Sequence, residues 1–280
     1  MAHRMHPLSP RIYLGNRPRV NDFSPLSRTQ TQLMESLREL IKEGNFDCSA
    51  NGISLQGVDP SFVALIQLTL RAEGFEHFRV DRNMNLGLSI ENMTKILRCA
   101  GANDSVTLKA EDKADNINFI FESPDEDRIS RFSLKLMDID MESFGIPATV
   151  YHCVVRMPAA EFQRICKELS VIGENVKISV TKEGIKFSVT GIQGSGSITL
   201  KQSGGVEGDE KSQVQIKLDD EIEQSFALRY LNNFAKATTV SDTVTLMLND
   251  GVPLVCEYKI QDLGHLRFFL APKIEGEADE

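Results

Sequence analysis

Little in this sequence points to covalent chemistry. No apolar run approaches the ~18 residues of a membrane-spanning helix, so no membrane segment is expected. Cysteine is scarce and odd in number: Cys48, Cys99, Cys153, Cys166 and Cys256. None forms a CxxC and no cluster has metal-ligand spacing, which disfavours a disulfide framework or a zinc site. Their settings, as in LVCEY and YHCVV, are apolar, so we read them as reduced core residues of a cytosolic or nuclear protein. Phosphate-cradling GxGxxG and GxxxxGK loops, the HExxH metal helix and the GxSxG nucleophile elbow are all absent. The five histidines (His3, His6, His77, His152, His265) lack metal spacing, and His152 and His265 fall in or beside strand patterns, where a structural role is expected. No cofactor and no metal is therefore expected. The one catalytic alternative, a metal-dependent hydrolase built on Asp138, Asp140 and Glu142, needs carboxylates that converge, and an exposed loop holds them poorly.

The chain has 280 residues, 41% hydrophobic and 25% charged, the composition of an ordinary globular protein. Its most informative feature is a repeat. Residues 88–108 read LSIENMTKILRCAGANDSVTL and residues 226–246 read FALRYLNNFAKATTVSDTVTL, matching without a gap. Each has an apolar alternation, a short helical pattern and a closing Asp-Ser/Thr-Val-Thr-Leu strand. A second pair, residues 33–55 and 165–187, has a helix, a strand, a turn with Gly52 or Gly184, and another strand. One supersecondary order thus occurs twice, which predicts a tandem duplication of α+β domains.

Leu33, Met34, Leu37, Leu40 and Ile41 share a helix face, and Gly44 is expected to end that helix. Strands are expected at 46–50, 52–57, 61–71, 77–80 and 86–90, with a helix over 91–99. A hairpin pairs 105–111 with 116–122, and 129–136 is a further strand. In the second half a helix spans 158–169, a polar loop spans 203–212, a helix with its entry strand spans 226–236, and 244–248 pairs with 254–260. Between the halves, residues 137–148 (MDIDMESFGIPA) alternate acids with apolar groups and include Pro147, so they form an exposed connector. Phe144 and Ile146 on it either staple the connector to the body or form a binding rim.

Net charge is −9, which taken alone disfavours phosphate-backbone binding. Its distribution says otherwise. Opposite the apolar stripes lie Arg38 and Lys42, Lys95 and Arg98, Arg164 and Lys167, and Lys236 with Arg229. These are either ordinary solvated helix faces or, taken over four helices, one positive surface for a polyanion.

Residues 37–270 resemble the proliferating cell nuclear antigen family, the eukaryotic sliding DNA clamps. The resemblance is carried by NFDCSANGISLQ, LRAEGFEHFRVDRN, MTKILRCAG, LKLMDIDMESFGIP, FALRYLNNFAKAT and GHLRFFLAPKIE. It implies an α+β DNA-clamp fold of two duplicated domains, outer sheets and inner helices, closing head to tail as a homotrimeric ring. Subunits would pair through 127–135 of one copy and 195–201 of the next. The implied division is an extra, disordered extension at 1–18, clamp domain 1 at 19–136, the connector at 137–148, clamp domain 2 at 149–274 and an acidic tail at 275–280. The extension is Arg-rich, holds three prolines and precedes the first acid, Asp22. The family's first strand would begin near residue 19, where Pro25 interrupts it.

By the same resemblance Arg38, Lys95, Arg98, Arg164, Lys167 and Lys236 would face double-stranded DNA, without reading sequence. A groove of Val58, Phe62, Phe144, Ile146, Pro253, Phe269, Ala271 and Pro272 would take short peptides from DNA polymerases, the clamp loader, and nuclease and ligase clients. Lys182 would be the ubiquitin acceptor. The implied role is a nuclear, non-catalytic processivity factor for replication, mismatch repair and translesion synthesis; a heterotrimeric checkpoint clamp is the alternative. The family usually has His where Phe62 stands and Tyr where Phe269 stands, so two polar handles are lost from the groove.

Overall fold

The structure is a computed structural model and describes residues 11–16, 26–111, 115–140, 144–146, 149–202 and 213–273. The first half runs β1 (Arg11–Asn16), α1 (Leu26–Leu37), β2 (Glu43–Ser49), β3 (Gly52–Val58), β4 (Ala64–Arg71), β5 (His77–Val80), β6 (Met84–Ser89), α2 (Ile90–Leu97), β7 (Ser105–Glu111), β8 (Asn116–Glu122) and β9 (Ile129–Lys135). The second runs β10 (Cys153–Pro158), α3 (Ala159–Leu169), β11 (Asn175–Thr181), β12 (Gly184–Gly191), β13 (Gly194–Lys201), β14 (Gln215–Leu218), β15 (Ile222–Ala227), α4 (Leu228–Phe234), β16 (Thr243–Leu248), β17 (Leu254–Ile260) and β18 (Gly264–Leu270), with a 3-10 turn at Ala235–Thr239.

The duplication is visible in the pairing. The first half builds a sheet in the order β5-β1-β7-β8-β9, and the second builds β14-β10-β16-β17-β18. Each half also has a four-strand set, β4-β3-β2-β6 and β13-β12-β11-β15. Helix entry repeats too: the Ile90 amide donates to the Lys42 carbonyl, and the Leu228 amide donates to the Glu174 carbonyl. These bonds satisfy first-turn N–H groups that have no partner inside the helix.

The halves are joined by β18 against β4. Their antiparallel register runs from Gly264 opposite Leu70 to Leu270 opposite Ala64, producing a nine-stranded sheet. Alternate residues of these strands are buried, among them Ala64, Ile66 and Leu68 on β4 and Leu266, Phe268 and Leu270 on β18. Phe268 stacks on Phe234 of α4 at 4.6 Å, with Tyr258 edge-on to Phe268 at 6.1 Å. The helices form one layer: α2 packs on α1, α1 on the turn after α4, and that turn and α4 on α3. Their buried stripes follow helical spacing, as in Ile90, Met93, Thr94 and Leu97.

Several expectations need correction. Residues 11–16 are not part of a structureless extension: they form β1, which pairs Leu14 with Phe78 on one side and with Leu108 on the other. A strand is needed there because β5 and β7 would otherwise present unpaired edges inside the sheet. The role falls upstream of Pro18 and Pro25, on a stretch free of proline. Residues 1–10 and 17–25, the loop 203–212, and the tail beyond residue 273 lie outside the described residues.

The first helix covers Leu26–Leu37, earlier than its apolar stripe suggested, although Leu33, Met34, Leu37, Leu40 and Ile41 are all buried. Gly44 does not end that helix. It lies in β2 opposite Leu88, where an added Cβ would sit 2.6 Å from Leu55 Cδ1. The strand expected from residue 61 starts at Ala64, because Asp59 captures the preceding turn. Cys99 is exposed, whereas Cys48, Cys153, Cys166 and Cys256 are buried. Burial pushes the Cys153 thiol up to about 11 and, with Asp47 beside it, the Cys48 thiol up to about 12, so both stay protonated and inert.

The β4–β18 join tolerates no side chain at Gly264, where a Cβ would lie 1.9 Å from the Thr69 carbonyl oxygen. Gly264→Val is expected to lower unfolding free energy by about 2–4 kcal/mol, measured by denaturant titration of the purified chain. An unchanged midpoint would mean the ladder yields locally and is not a fixed joint.

Candidate nucleic-acid face and peptide groove

The helix layer carries the basic side chains. Arg38, Lys95, Arg98, Arg164, Lys167 and Lys236 are all exposed. Five of the six sit in ion pairs. Lys95 Nζ lies 2.6 Å from Glu91, Arg98 lies 2.6 Å from Glu35, and Arg164 lies 3.1 Å from Glu161 and 3.5 Å from Glu168. Lys236 Nζ reaches Glu39 at 2.7 Å, a pair that crosses between the halves, and Arg38 lies 3.6 Å from the same residue. The hydrogen bond from Lys95 holds the Glu91 carboxyl below its usual range. The acids went unnoticed in sequence because attention to one charge sign missed Glu at three- and four-residue spacing and across helices.

Exposed pairs of this kind are worth about 0–1 kcal/mol each. They orient the cations and open at small cost when another anion arrives. Among the described side chains on the helices and the residues that directly close them, Arg38, Lys95, Arg98, Arg164, Lys167, Arg229 and Lys236 outnumber Glu35, Glu39, Glu91, Glu161 and Glu168. The layer is thus net positive in a chain of net charge −9.

On the opposite side of the β4–β18 join lies an apolar cavity of about 310 Å³. Its floor is a row of side chains across three strands: Val58 is opposite Leu65, and Leu65 is opposite Phe269. Phe62 and Val63 from the β3–β4 turn, Phe144, Gly145 and Ile146 from the connector, and Pro253 and Ala271 form its walls. Seven of the eight expected groove residues therefore converge, while Pro272 does not line the cavity. Val63, Ala64, Leu65, Thr149 and Tyr151 also line it and were missed in sequence. Leu65 was legible from the alternation of β4; Tyr151, coming from just after the connector, carried no signal. Burial raises the Tyr151 phenol above its ordinary value, so it stays a neutral donor, 3.5 Å from the Pro253 carbonyl oxygen.

The described parts of the connector are tied to the first half. The Met137 amide donates to the Gly87 carbonyl at 2.8 Å, Asn45 Nδ2 donates to the Ile139 carbonyl at 2.9 Å, and the Phe144 amide donates to Gln56 Oε1 at 3.1 Å. Lys182 is exposed in the β11–β12 turn. Among the described residues, no group of three or more His, Cys, Asp or Glu is placed to hold a metal, and no helix is long and apolar enough to cross a membrane.

A duplicated α+β chain with sheets on one side, a layer of basic helices on the other and a groove at the domain join has the clamp architecture. The family model for the proliferating cell nuclear antigen N-terminal domain matches residues 27–144, and the model for the C-terminal domain matches residues 145–273. The chain belongs to this family, the DNA sliding clamps, which are non-catalytic scaffolds acting in DNA replication and repair. The boundary between the two matches falls within the connector, between Phe144 and Gly145.

Gly87 lets the connector approach: a Cβ there would lie 2.1 Å from the Met137 carbonyl oxygen. Gly87→Val is expected to break the Met137–Gly87 bridge and speed hydrogen exchange at the Met137 amide by roughly tenfold or more. Exchange at the wild-type rate would show that the connector is held elsewhere.

Proposed function

We propose that three copies of this chain close head to tail into a homotrimeric ring around duplex DNA and present the groove to client peptides. One observation carries this reading. Within the chain, the edge of a five-strand sheet (β18) pairs with the edge of a four-strand set (β4). The duplicated counterparts of those two strands are β9 and β13, and each is the free edge of its sheet. A second copy can repeat between chains the joint already made within one. Such a heterologous joint makes a ring where the rotation closes, and it removes both exposed edges. Exposed apolar side chains at these edges fit the same purpose: Ile129 begins β9, and Ile172 and Ile192 lie by the β12–β13 hairpin.

In the ring, Arg38, Lys95, Arg98, Arg164, Lys167 and Lys236 would meet phosphates, and all but Lys167 would exchange carboxylate partners for them. Such contacts read no sequence and release easily, which suits sliding. The groove would take one turn of helix with aromatic anchors from DNA polymerases, the clamp loader, and nuclease and ligase clients. Lys182 would serve as the ubiquitin acceptor during translesion synthesis, and the protein would act in the nucleus, mismatch repair included.

Sedimentation at micromolar concentration should give three times the 31.2 kDa chain mass. A chain that stays monomeric alone points to a heterotrimeric checkpoint clamp instead. Lys95→Glu with Arg164→Glu should leave the trimer intact, reduce clamp-stimulated DNA synthesis and flatten the already shallow dependence of DNA binding on salt; normal stimulation would overturn the basic-channel reading.

Ile146→Ala should weaken a client peptide by roughly 1–3 kcal/mol, read by calorimetry, without loss of trimer. Unchanged affinity would leave Phe144 and Ile146 as staples of the connector.

A further inference from the structure

Behind the groove wall sits a carboxylate that makes no contact with the cavity. Asp59, 4% exposed, lies in the turn between β3 and β4. Its Oδ1 accepts from the amides of Val63 at 2.8 Å and Ala64 at 2.7 Å, and its Oδ2 accepts from the Ser61 amide at 3.0 Å. Its own carbonyl takes the Phe62 amide, and its own amide donates to the Ala64 carbonyl. Every backbone N–H from residue 61 to 64 is thus bound to Asp59.

The turn so closed holds Phe62 at φ +57°, a left-handed conformation that is strained for a non-glycine residue. In return the Phe62 ring stands out at the groove mouth, 79% exposed. The fourth donor comes from the other domain: the Tyr230 hydroxyl of α4 donates to Asp59 Oδ2 at 2.9 Å. Arg229 lies over the Tyr230 ring at 4.8 Å, with Nη2 3.3 Å from the hydroxyl.

We propose that Asp59 is the positioning residue of the groove: pinned by Tyr230 across the domain join, its carboxylate holds the Phe62 turn in its binding shape and so sets peptide affinity. This rests on the groove being a peptide site. Burial by itself raises the Asp59 carboxyl, but the amides of Ala64, Ser61 and Val63 and the Tyr230 hydroxyl outweigh it, and the net shift is downward. The titratable and charged groups facing it are Tyr230 and, across that ring, Arg229; its own turn contributes backbone amides. A depressed carboxyl stabilises the turn above its unfolded value near 4, and that support is lost as pH falls through the lower folded value. Removing the Tyr230 hydroxyl moves the folded value up, so loss sets in at higher pH.

The test is fluorescence anisotropy of a labelled synthetic peptide with one helical turn and aromatic anchors, on the assembled full chain across acid pH. Tyr230→Phe, which deletes one oxygen, should bind about 3- to 10-fold more weakly at neutral pH, by loss of one charge-assisted bond and of competent population. Its acid limb should begin at higher pH than wild type. Asp59→Asn should bind weakly with that limb flattened, and the double variant should be no weaker than Asp59→Asn. Should Asp59→Asn fail to fold, Tyr230→Phe carries the test alone. Binding by wild type and Tyr230→Phe with equal affinity and superimposable pH profiles overturns the inference. A wild-type chain that does not take the peptide at all overturns the groove reading itself, and the inference with it.

Discussion

The antiparallel ladder between β4 and β18 is the constraint on which the rest depends. It turns two duplicated halves into one nine-stranded sheet, and each backbone bond in it also fixes a relation between domains. With β18 docked on β4, Val58, Leu65 and Phe269 fall into one row, so a groove floor is made from both domains at once. On the inner side, the same docking brings α1 against the turn after α4, where Glu39 and Lys236 pair. Groove and helix layer are therefore opposite faces of one joint.

Duplication would account for the proposed assembly in the same terms. A sheet edge is a row of unsatisfied donors and acceptors, and two of the edges left among the described strands matter for the proposed ring. Those edges, β9 and β13, are the counterparts of the pair already joined. In the proposed ring the helix face would need only weak, reversible attraction. Five of the six candidate DNA-facing cations sit in exposed pairs of low value, which under the proposed reading would let phosphates replace carboxylates without a deep minimum.

The groove depends on groups that never touch its contents. Gly87, Asn45 and Gln56 tie down the described parts of the connector, and the Asp59 carboxylate accepts three bonds from the turn that presents Phe62 and a fourth from Tyr230. Apolar contact gives such a site its affinity, but buried polar bonds give it its shape.

The candidate groove residues were implied by the family resemblance, and seven of the eight line the cavity; the residue pattern itself determined the α+β class, the duplication, most strand positions and the basic helix faces. These are legible because apolar periodicity and repeated segments are local properties of the chain. The first strand was not legible: the demand for Arg11–Asn16 arises only once β5 and β7 leave a gap between them. Nor was Gly44 in β2, whose need for glycine is set by Leu55 on the neighbouring strand. The carboxylate partners Glu35 and Glu39 lie on α1 and its closing turn, and they meet Arg98 and Lys236 only after packing. Asp59 was not singled out either, since its bond to Tyr230, 171 positions away, exists only after the two domains are joined. What tertiary structure alone decided is every contact between the halves, because pairing across a domain join depends on edge geometry that no local window of sequence encodes.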